Sequence, residues 1–289
     1  TGLCLAALVF AQQMLVRAVL IRPLLALAAF CLLSSVVYII NDIVDRNEDR
    51  LHPQKRRRPL AAGEVGPGSA MGIALILTVG AAFLLIKVSL GTLLLGGIYL
   101  ALSLSYTFAL KHHVLLDVIA ISLGFVLRAL AGAMAARVAV SPWLITCTFT
   151  LCLFLGFSKR ACELATFEGG DNAGKHRKTL IRYTPNLLHQ LLSVTAGIAV
   201  ITFLLYCMDP ATVAKMGANY LIYSVPLVFY CLFRYTLLVE TGRAGGPADI
   251  VLNDVPFIVS ALLWVAMAVA IVYAGPAIKA WVNHLVFAT

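Results

Sequence analysis

The chain has 289 residues, of which 61% are hydrophobic and 12% charged, with a mean hydropathy of +0.95 and a formal net charge of +9. A water-soluble domain is roughly 45–50% apolar and about 25% charged, so a single soluble core is excluded, as are collagen-like, disordered and disulfide-stapled secreted chains. A polytopic, all-helical membrane protein is expected instead.

A helix crosses a bilayer core with about 20 apolar residues, and only helices or closed barrels satisfy the backbone there. In chain order the apolar runs predict nine spans, near 2–16, 22–40, 70–89, 90–110, 114–136, 141–158, 186–207, 219–239 and 255–274. The division at 89–91 rests on Ser89 and Gly91. Residues 1–16 lack a basic n-region and a small-residue cleavage site, so a retained first span is expected over a signal peptide. No long polar region interrupts the runs, which predicts one membrane domain over 1–289. The seven cysteines are odd in number, scattered and mostly inside apolar runs, which reads as membrane-buried hydrophobes with neither a disulfide framework nor a zinc spacing.

Loops on alternate sides differ in basic charge. Fifteen Lys and Arg, from Arg46 and Arg50 through Lys55 to Arg58 and on to Arg243, follow the even-numbered spans; six, including Arg17, Lys87 and Arg137, fall on the other side. The positive-inside rule then puts the first set in the cytoplasm and predicts a multi-pass plasma-membrane protein. The same loops also hold Asp42, Asp45, Glu48, Asp49, Glu163, Glu168 and Asp171. Orientation needs only bases, so mixed acids and bases point to a site for a charged ligand and a cation.

If the second span continues past Ile40, Asp42, Asp45 and Asp49 stand at i, i+3 and i+7, within about 60° of one another on one helix face. Three bare carboxylates so placed repel, and a hard divalent cation relieves that cost. Mg²⁺ suits the set because it takes oxygen ligands and commonly bridges one or two carboxylates to phosphate. The plain alternative is a solvated helix end whose acids pair with Arg46, Arg50 and the basic run Lys55 to Arg58. That run is either a positive-inside anchor or a grip on phosphate that the metal leaves unneutralised.

A second constellation closes the sixth span: Lys159, Arg160 and Glu163, followed by Asp171, Lys175, His176, Arg177, Lys178 and Arg182. Lys159 and Glu163 at i, i+4 form either a surface pair or, with Arg160, a cationic half-site for phosphate. On span five, Asp117 and Arg128 are eleven residues apart and about 20° from alignment. Arg128 lies roughly 20 Å along that helix, where an ionisable group costs about 2.5–3.5 kcal/mol or more, so a cavity, an ion partner or a structural contact is expected. Tyr106 and Lys111, near the cytoplasmic end of span four, can join the same pocket or act as interface anchors. His112 and His113 lack a helical metal spacing.

Asn41-Asp42-x-x-Asp45-x-x-x-Asp49, closing a membrane span and followed by His52-Pro53-x-Lys55, resembles the first signature of the UbiA superfamily of intramembrane prenyltransferases. The resemblance implies helices around a central lipid-open cavity, a polar cytoplasmic cap and Mg²⁺ on the aspartates. Ordinary members carry a second Asp-x-x-x-Asp motif where this chain has Lys159-Arg160-x-x-Glu163. Together with Arg58-Pro59, Arg234-Tyr235 and Gly245-Gly246-Pro247, that departure is similar to the branch that moves phosphoribose rather than a prenyl group.

That likeness implies transfer of 5-phosphoribose from 5-phosphoribosyl 1-diphosphate to decaprenyl or another polyprenyl phosphate, releasing diphosphate, for cell-wall arabinan precursors. Asp42, Asp45 and Asp49 are the implied metal ligands and catalytic residues. Asn41, Lys55, Arg58, Tyr106, Lys111, Asp117, Arg128, Lys159, Arg160, Glu163 and Arg182 are the candidate substrate-binding residues. Two other readings stay open: a prenyltransferase joining a prenyl diphosphate to an aromatic acceptor, and a transporter with Asp117 and Arg128 in its path. The first is separated by which labelled donor reacts, the second by inverted repeats and transport without diphosphate release. Membrane lipid is an expected partner, nucleic acid is not, and a homo-oligomer stays open.

Overall fold

The structure is a computed structural model that describes residues 17–51, 55–168, 182–216, 219–241 and 253–287. No strand occurs among the described residues. Among the described residues, eight helices are long and apolar enough to cross a membrane: Leu20–Val44, Pro67–Val88, Leu90–Phe108, Leu116–Ala135, Pro142–Ala165, Pro185–Met208, Tyr220–Glu240 and Val255–Ala274. Each overlaps one of the last eight predicted spans; the first, 2–16, lies outside the described residues.

The chain forms two compact units, which meet in sequence at residues 139 and 140. The first contains α1 (Arg17–Val44), α2 (Arg46–Leu51), a 3₁₀ turn at Lys55–Arg57, α3 (Pro59–Ala62), α4 (Pro67–Val88), α5 (Leu90–Phe108), a second 3₁₀ turn at Leu110–His112, and α6 (Leu116–Ala136). Its core joins Ala29, Phe30 and Leu33 of α1 to Ala81 and Leu85 of α4, Tyr99 of α5 and Ala131 of α6. Helix α4 shows how such a sequence divides its faces. Ala70, Ala74 and Ala81 pack inward while Leu75, Ile76, Phe83 and Ile86 are exposed. An aqueous helix does the reverse; here lipid tails solvate the large side chains, and small ones let neighbouring backbones approach.

The second unit contains α7 (Pro142–Glu168), α8 (Pro185–Met208), α9 (Pro210–Met216), a 3₁₀ turn at Tyr220–Ser224, α10 (Val225–Glu240) and α11 (Val255–Phe287). Phe203, Tyr206, Cys207, Leu221, Ala268 and Val272 form its core. Tyr235 of α10 packs between Phe154 of α7, with ring centroids 5.3 Å apart, and Phe257 of α11 at 5.9 Å.

Local chemistry sets the helix ends. Ser89 is extended, and its Oγ accepts the Thr92 amide at 3.1 Å, so one serine ends α4 and caps α5. Thr184 caps α8 in the same way through the Leu187 amide, with Pro185 in the first helical position. Gly63 closes α3 at φ 84°, a left-handed conformation in which a side chain costs about 1–2 kcal/mol.

A Cβ at Gly63 meets nothing within 4 Å, so the whole effect of Gly63→Ala is conformational. It is expected to cost about 1 kcal/mol, and Gly63→Asn less, since asparagine tolerates this region. The apparent Tm of the detergent-solubilised variants, recorded at one scan rate, checks the order.

Candidate active site

Helix α1 stays apolar through Ile40 and then turns polar without unwinding. The Asp45 amide bonds the Asn41 carbonyl and the Asp49 amide bonds the Asp45 carbonyl, each at 2.8 Å, so helical spacing carries across the turn between α1 and α2. The i, i+3, i+7 placement expected for the three aspartates is therefore realised.

Each carboxylate meets a cation. The Arg58 Nη1 donates to Asp42 Oδ1 at 2.7 Å and to Asp49 Oδ2 at 2.9 Å. Lys111 Nζ donates to Asp45 Oδ1 at 2.6 Å, and Asn41 Nδ2 donates to the other oxygen, Asp45 Oδ2, at 3.0 Å. Asp49 and Lys111 are buried. Removing one partner from such a pair strands a charge, a loss of about 3–5 kcal/mol when the pair is fully buried.

Two arginines of α2 hold the arm that delivers Arg58. A four-residue helix leaves its last carbonyls without intrahelical donors. The Nε of Arg46 donates to the Leu60 carbonyl at 3.0 Å, and the Nε of Arg50 to the Ala61 carbonyl at 3.1 Å. Their charges suggested only orientation or pairing with acids, and their scaffolding contacts carry no signal in the sequence. Lys55 begins the preceding 3₁₀ turn, exposed, and its charge acts on Asp42. His52 and Pro53 lie outside the described residues.

Lys111 and Asp117 flank a strained backbone. Leu115 sits at φ 70°, ψ −46°, just before the first turn of α6, a conformation rare for a branched side chain and concentrated at functional sites. Asp117 is buried in that first turn, where the helix dipole favours a negative charge. Tyr106 is half-buried near the end of α5.

Arg128 belongs to a deeper cluster. Its Nη2 donates to Tyr99 Oη at 2.6 Å and Ser34 Oγ at 3.2 Å, and its guanidinium carbon stands 4.7 Å from the Tyr99 ring centroid and 4.9 Å from that of Phe125. The buried Nε has no hydrogen-bond partner. Eleven residues, roughly 16 Å of helix, separate Arg128 from Asp117, and the same spacing separates Ser34 from Asp45. Two helices thus agree that the Arg128 cluster lies three turns below the aspartates and that Asp117 and Arg128 share a stripe without pairing. Sequence reasoning missed Ser34 and Tyr99; the available signal was Tyr99 standing two turns before Tyr106.

A surface groove of about 450 Å³ runs between α1 and α4, lined by Val36, Ile40, Gly68, Met71 and Gly72 among others. Ile40 and Asp42 are about 200° apart around the helix, so this groove opens on the flank of α1 opposite the carboxylates.

In the second unit, Arg160 is buried on α7 and pairs with Glu163, one turn along. Lys159 is exposed instead; one residue rotates a side chain by about 100°, so the cation that meets Glu163 is the neighbour of the one that i, i+4 spacing suggested. Arg182 is exposed ahead of α8. Asp171, Lys175, His176, Arg177 and Lys178 lie outside the described residues. Arg234 grips Asp254 with two bonds, at 3.1 and 2.8 Å, while Asp254 also accepts the Phe257 amide at 2.9 Å and so caps α11. His189 and Glu240 form an exposed pair at 3.0 Å.

Among the described residues no three acidic, imidazole or thiol groups converge as a preformed metal centre. The donor chemistry around Arg58 nonetheless fits a divalent ion. Two carboxylate oxygens already share one cationic nitrogen, and Mg²⁺ commonly takes one or two carboxylates with waters and phosphate oxygens.

Residues 2–253 match the family model described as the UbiA prenyltransferase family. The chain belongs to this family. The decaprenyl-phosphate phosphoribosyltransferase of Corynebacterium glutamicum is 36% identical over 257 residues, covering 87% of this chain and 76% of that protein. The protein of the same name from Mycolicibacterium smegmatis is 32% identical over 256 residues, covering 86% and 79%. A solved UbiA homologue from Archaeoglobus fulgidus, bound to DMAPP and Mg²⁺, aligns with a TM-score of 0.71 and 18% identity over 93% of this chain and 94% of its own. The all-helical membrane fold expected from the sequence is therefore the UbiA fold. Within this UbiA member, Asn41, Asp42, Asp45 and Asp49 lie along α1, α2 and the turn between them, and α7 carries Lys159, Arg160 and Glu163.

The Arg234 guanidinium, chiefly through its hydrogen bonds, holds the Asp254 carboxyl below the usual carboxylate range, and the Phe257 amide adds to this. A carboxyl lowered in the folded state stabilises above its unfolded pKa of about 3.9, and that contribution is lost as pH falls through the lower folded value. The apparent Tm of Asp254→Asn is expected to lie below that of the parent near pH 6, the gap starting to narrow only below about pH 4 and closing as pH falls through the lower folded value.

Proposed function

We propose that this protein transfers 5-phosphoribose from 5-phosphoribosyl 1-diphosphate to decaprenyl or another polyprenyl phosphate, releasing diphosphate. Identity of 36% and 32% to proteins named for that activity supports the reading. The observation that carries it is a single cationic nitrogen shared by two carboxylates at the end of a membrane helix. Such a site needs acids for a metal and bases for phosphate together.

In this reading Asp42, Asp45 and Asp49 are the residues that would hold Mg²⁺. When bound, the ion stabilises the negative charge that develops on the departing diphosphate. Arg58 and Lys55 take up phosphate oxygens, and Lys111 with Asn41 keeps Asp45 oriented. The bond from the anomeric carbon to the diphosphate oxygen breaks, the electron pair leaves with diphosphate, and the carbon gains oxocarbenium-like character. An oxygen of the acceptor phosphate forms the new bond. That phosphate is already anionic at neutral pH, so no strong general base is required. Attack from the opposite face gives inversion, from the α donor to a β product.

Asp117 and Tyr106 orient the ribose, and Arg128 with its Tyr99 and Ser34 partners serves the deeper, acceptor side. On α7, Arg160 is the buried cation for a phosphate group, supported by Glu163, with Lys159 and Arg182 secondary. The basic asymmetry of the loops supports a plasma-membrane location with the aspartates toward the cytoplasm, where a water-soluble donor meets a bilayer-soluble acceptor. The product feeds cell-wall arabinan synthesis.

Purified protein given labelled 5-phosphoribosyl 1-diphosphate and decaprenyl phosphate is expected to put label into a chloroform-extractable product. A labelled prenyl diphosphate with an aromatic acceptor is expected to give none, and the opposite result rejects the proposed donor. Asp49→Asn should lower turnover about a thousandfold, from several kcal/mol of metal-assisted stabilisation at about 1.4 kcal/mol per factor of ten. EDTA should act alike. Full activity after both treatments ends the metal assignment.

A further inference from the structure

Resting on the reading just given, we infer that Arg58 is a positioning residue with two stations: it stands in for the divalent cation on Asp42 and Asp49, and moves to a donor phosphate when the metal takes its place. The two roles exclude each other in space, because Asp42 Oδ1 and Asp49 Oδ2, the oxygens that face a shared cation, are the ones Arg58 Nη1 contacts.

Burial explains why a stand-in is needed. The Asp49 side chain is only 5% exposed, and an ionised carboxylate that deep is costly without a partner. Burial also decides which cation gives way. Arg58 has a side chain 38% exposed, against 7% for Lys111. Lys111 therefore stays with Asp45 while the Arg58 side chain can withdraw toward solvent.

The backbone beneath Arg58 does not have to move. Its amide bonds the Lys55 carbonyl at 2.9 Å, its carbonyl accepts the Ala62 amide at 2.8 Å, and Arg46 and Arg50 clamp the carbonyls of Leu60 and Ala61. The exchange is a rotation of one long side chain on a fixed arm. Once displaced, the planar guanidinium matches the oxygens of a phosphate bidentately. Metal alone must break two ion pairs, whereas metal with donor offers Arg58 a new anion. Each ligand thus favours the other, and by linkage the effect is reciprocal.

Binding of Mn²⁺, used as a spectroscopic probe, to donor-free protein in nanodiscs tests this by electron paramagnetic resonance. Arg58→Gln is expected to bind Mn²⁺ about tenfold more tightly than the parent, within the 5- to 150-fold span typical of linked sites. Arg58→Lys, which keeps the charge, should stay near the parent, and adding Asp49→Asn to Arg58→Gln should abolish the gain. The parent protein supplies a second readout that needs no variant. Mg²⁺ alone should raise phenylglyoxal labelling of Arg58 severalfold relative to the exposed Arg137, and Mg²⁺ with inorganic diphosphate should lower it again. Equal Mn²⁺ affinity in the parent and Arg58→Gln, with unchanged labelling, overturns the exchange and leaves the metal reading standing. Absence of Mn²⁺ binding in every protein overturns both.

Discussion

An acidic side chain at the mouth of a membrane bundle must find positive charge, and the first unit is organised around that demand. Three aspartates follow an apolar helix so closely that they share its face, and water cannot fully solvate them: Asp49 is 3% exposed as a residue. Their neutralisation draws on two separate pieces of chain. Arg58 returns from sixteen residues beyond Asp42, and Lys111 arrives from sixty-six beyond Asp45. The short helix α3, the αL glycine that ends it and the arginines that bond its carbonyls all serve to put one guanidinium in place.

The deeper Arg128 answers the same electrostatic problem by other means. Two hydroxyls accept from it and two aromatic rings flank it. Ring faces carry partial negative charge and can attract a guanidinium without adding a second ion to the membrane. One nitrogen, the buried Nε, is left without a hydrogen-bond partner. In the second unit, Arg160 with Glu163 and Arg234 with Asp254 are paired acid to base. The latter pair also caps a helix, so it ties α10 to α11 as well as neutralising charge.

The spans and the aspartate face were legible because both are set by local periodicity. About twenty apolar residues must become a membrane helix, whatever packs beside it, and residues at i, i+3 and i+7 of a helix must share a face. Even the division at Ser89 was readable, since a serine hydroxyl three residues ahead of a free amide is a capping signal. The cationic side of the site was less legible. Lys55 to Arg58 have the same charge and adjacent positions, and nothing in composition says that Arg58 rather than a neighbour reaches the acids. The choice falls to the proline that starts α3 and the turn before it. On α7, the same one-residue ambiguity separated Lys159 from Arg160.

The amino-acid sequence alone thus determined that the chain spans a membrane, where its helices run and which carboxylates stand together, because hydrophobic length and helical pitch act over a few residues. Which cations meet those carboxylates and that Arg128 rests on Ser34 and Tyr99 were decided by how α1, α5 and α6 pack, whereas the distance that keeps Asp117 from Arg128 follows from helical pitch alone. Contacts such as Lys111 with Asp45 join residues sixty-six apart in the chain, and no period in the sequence encodes that distance.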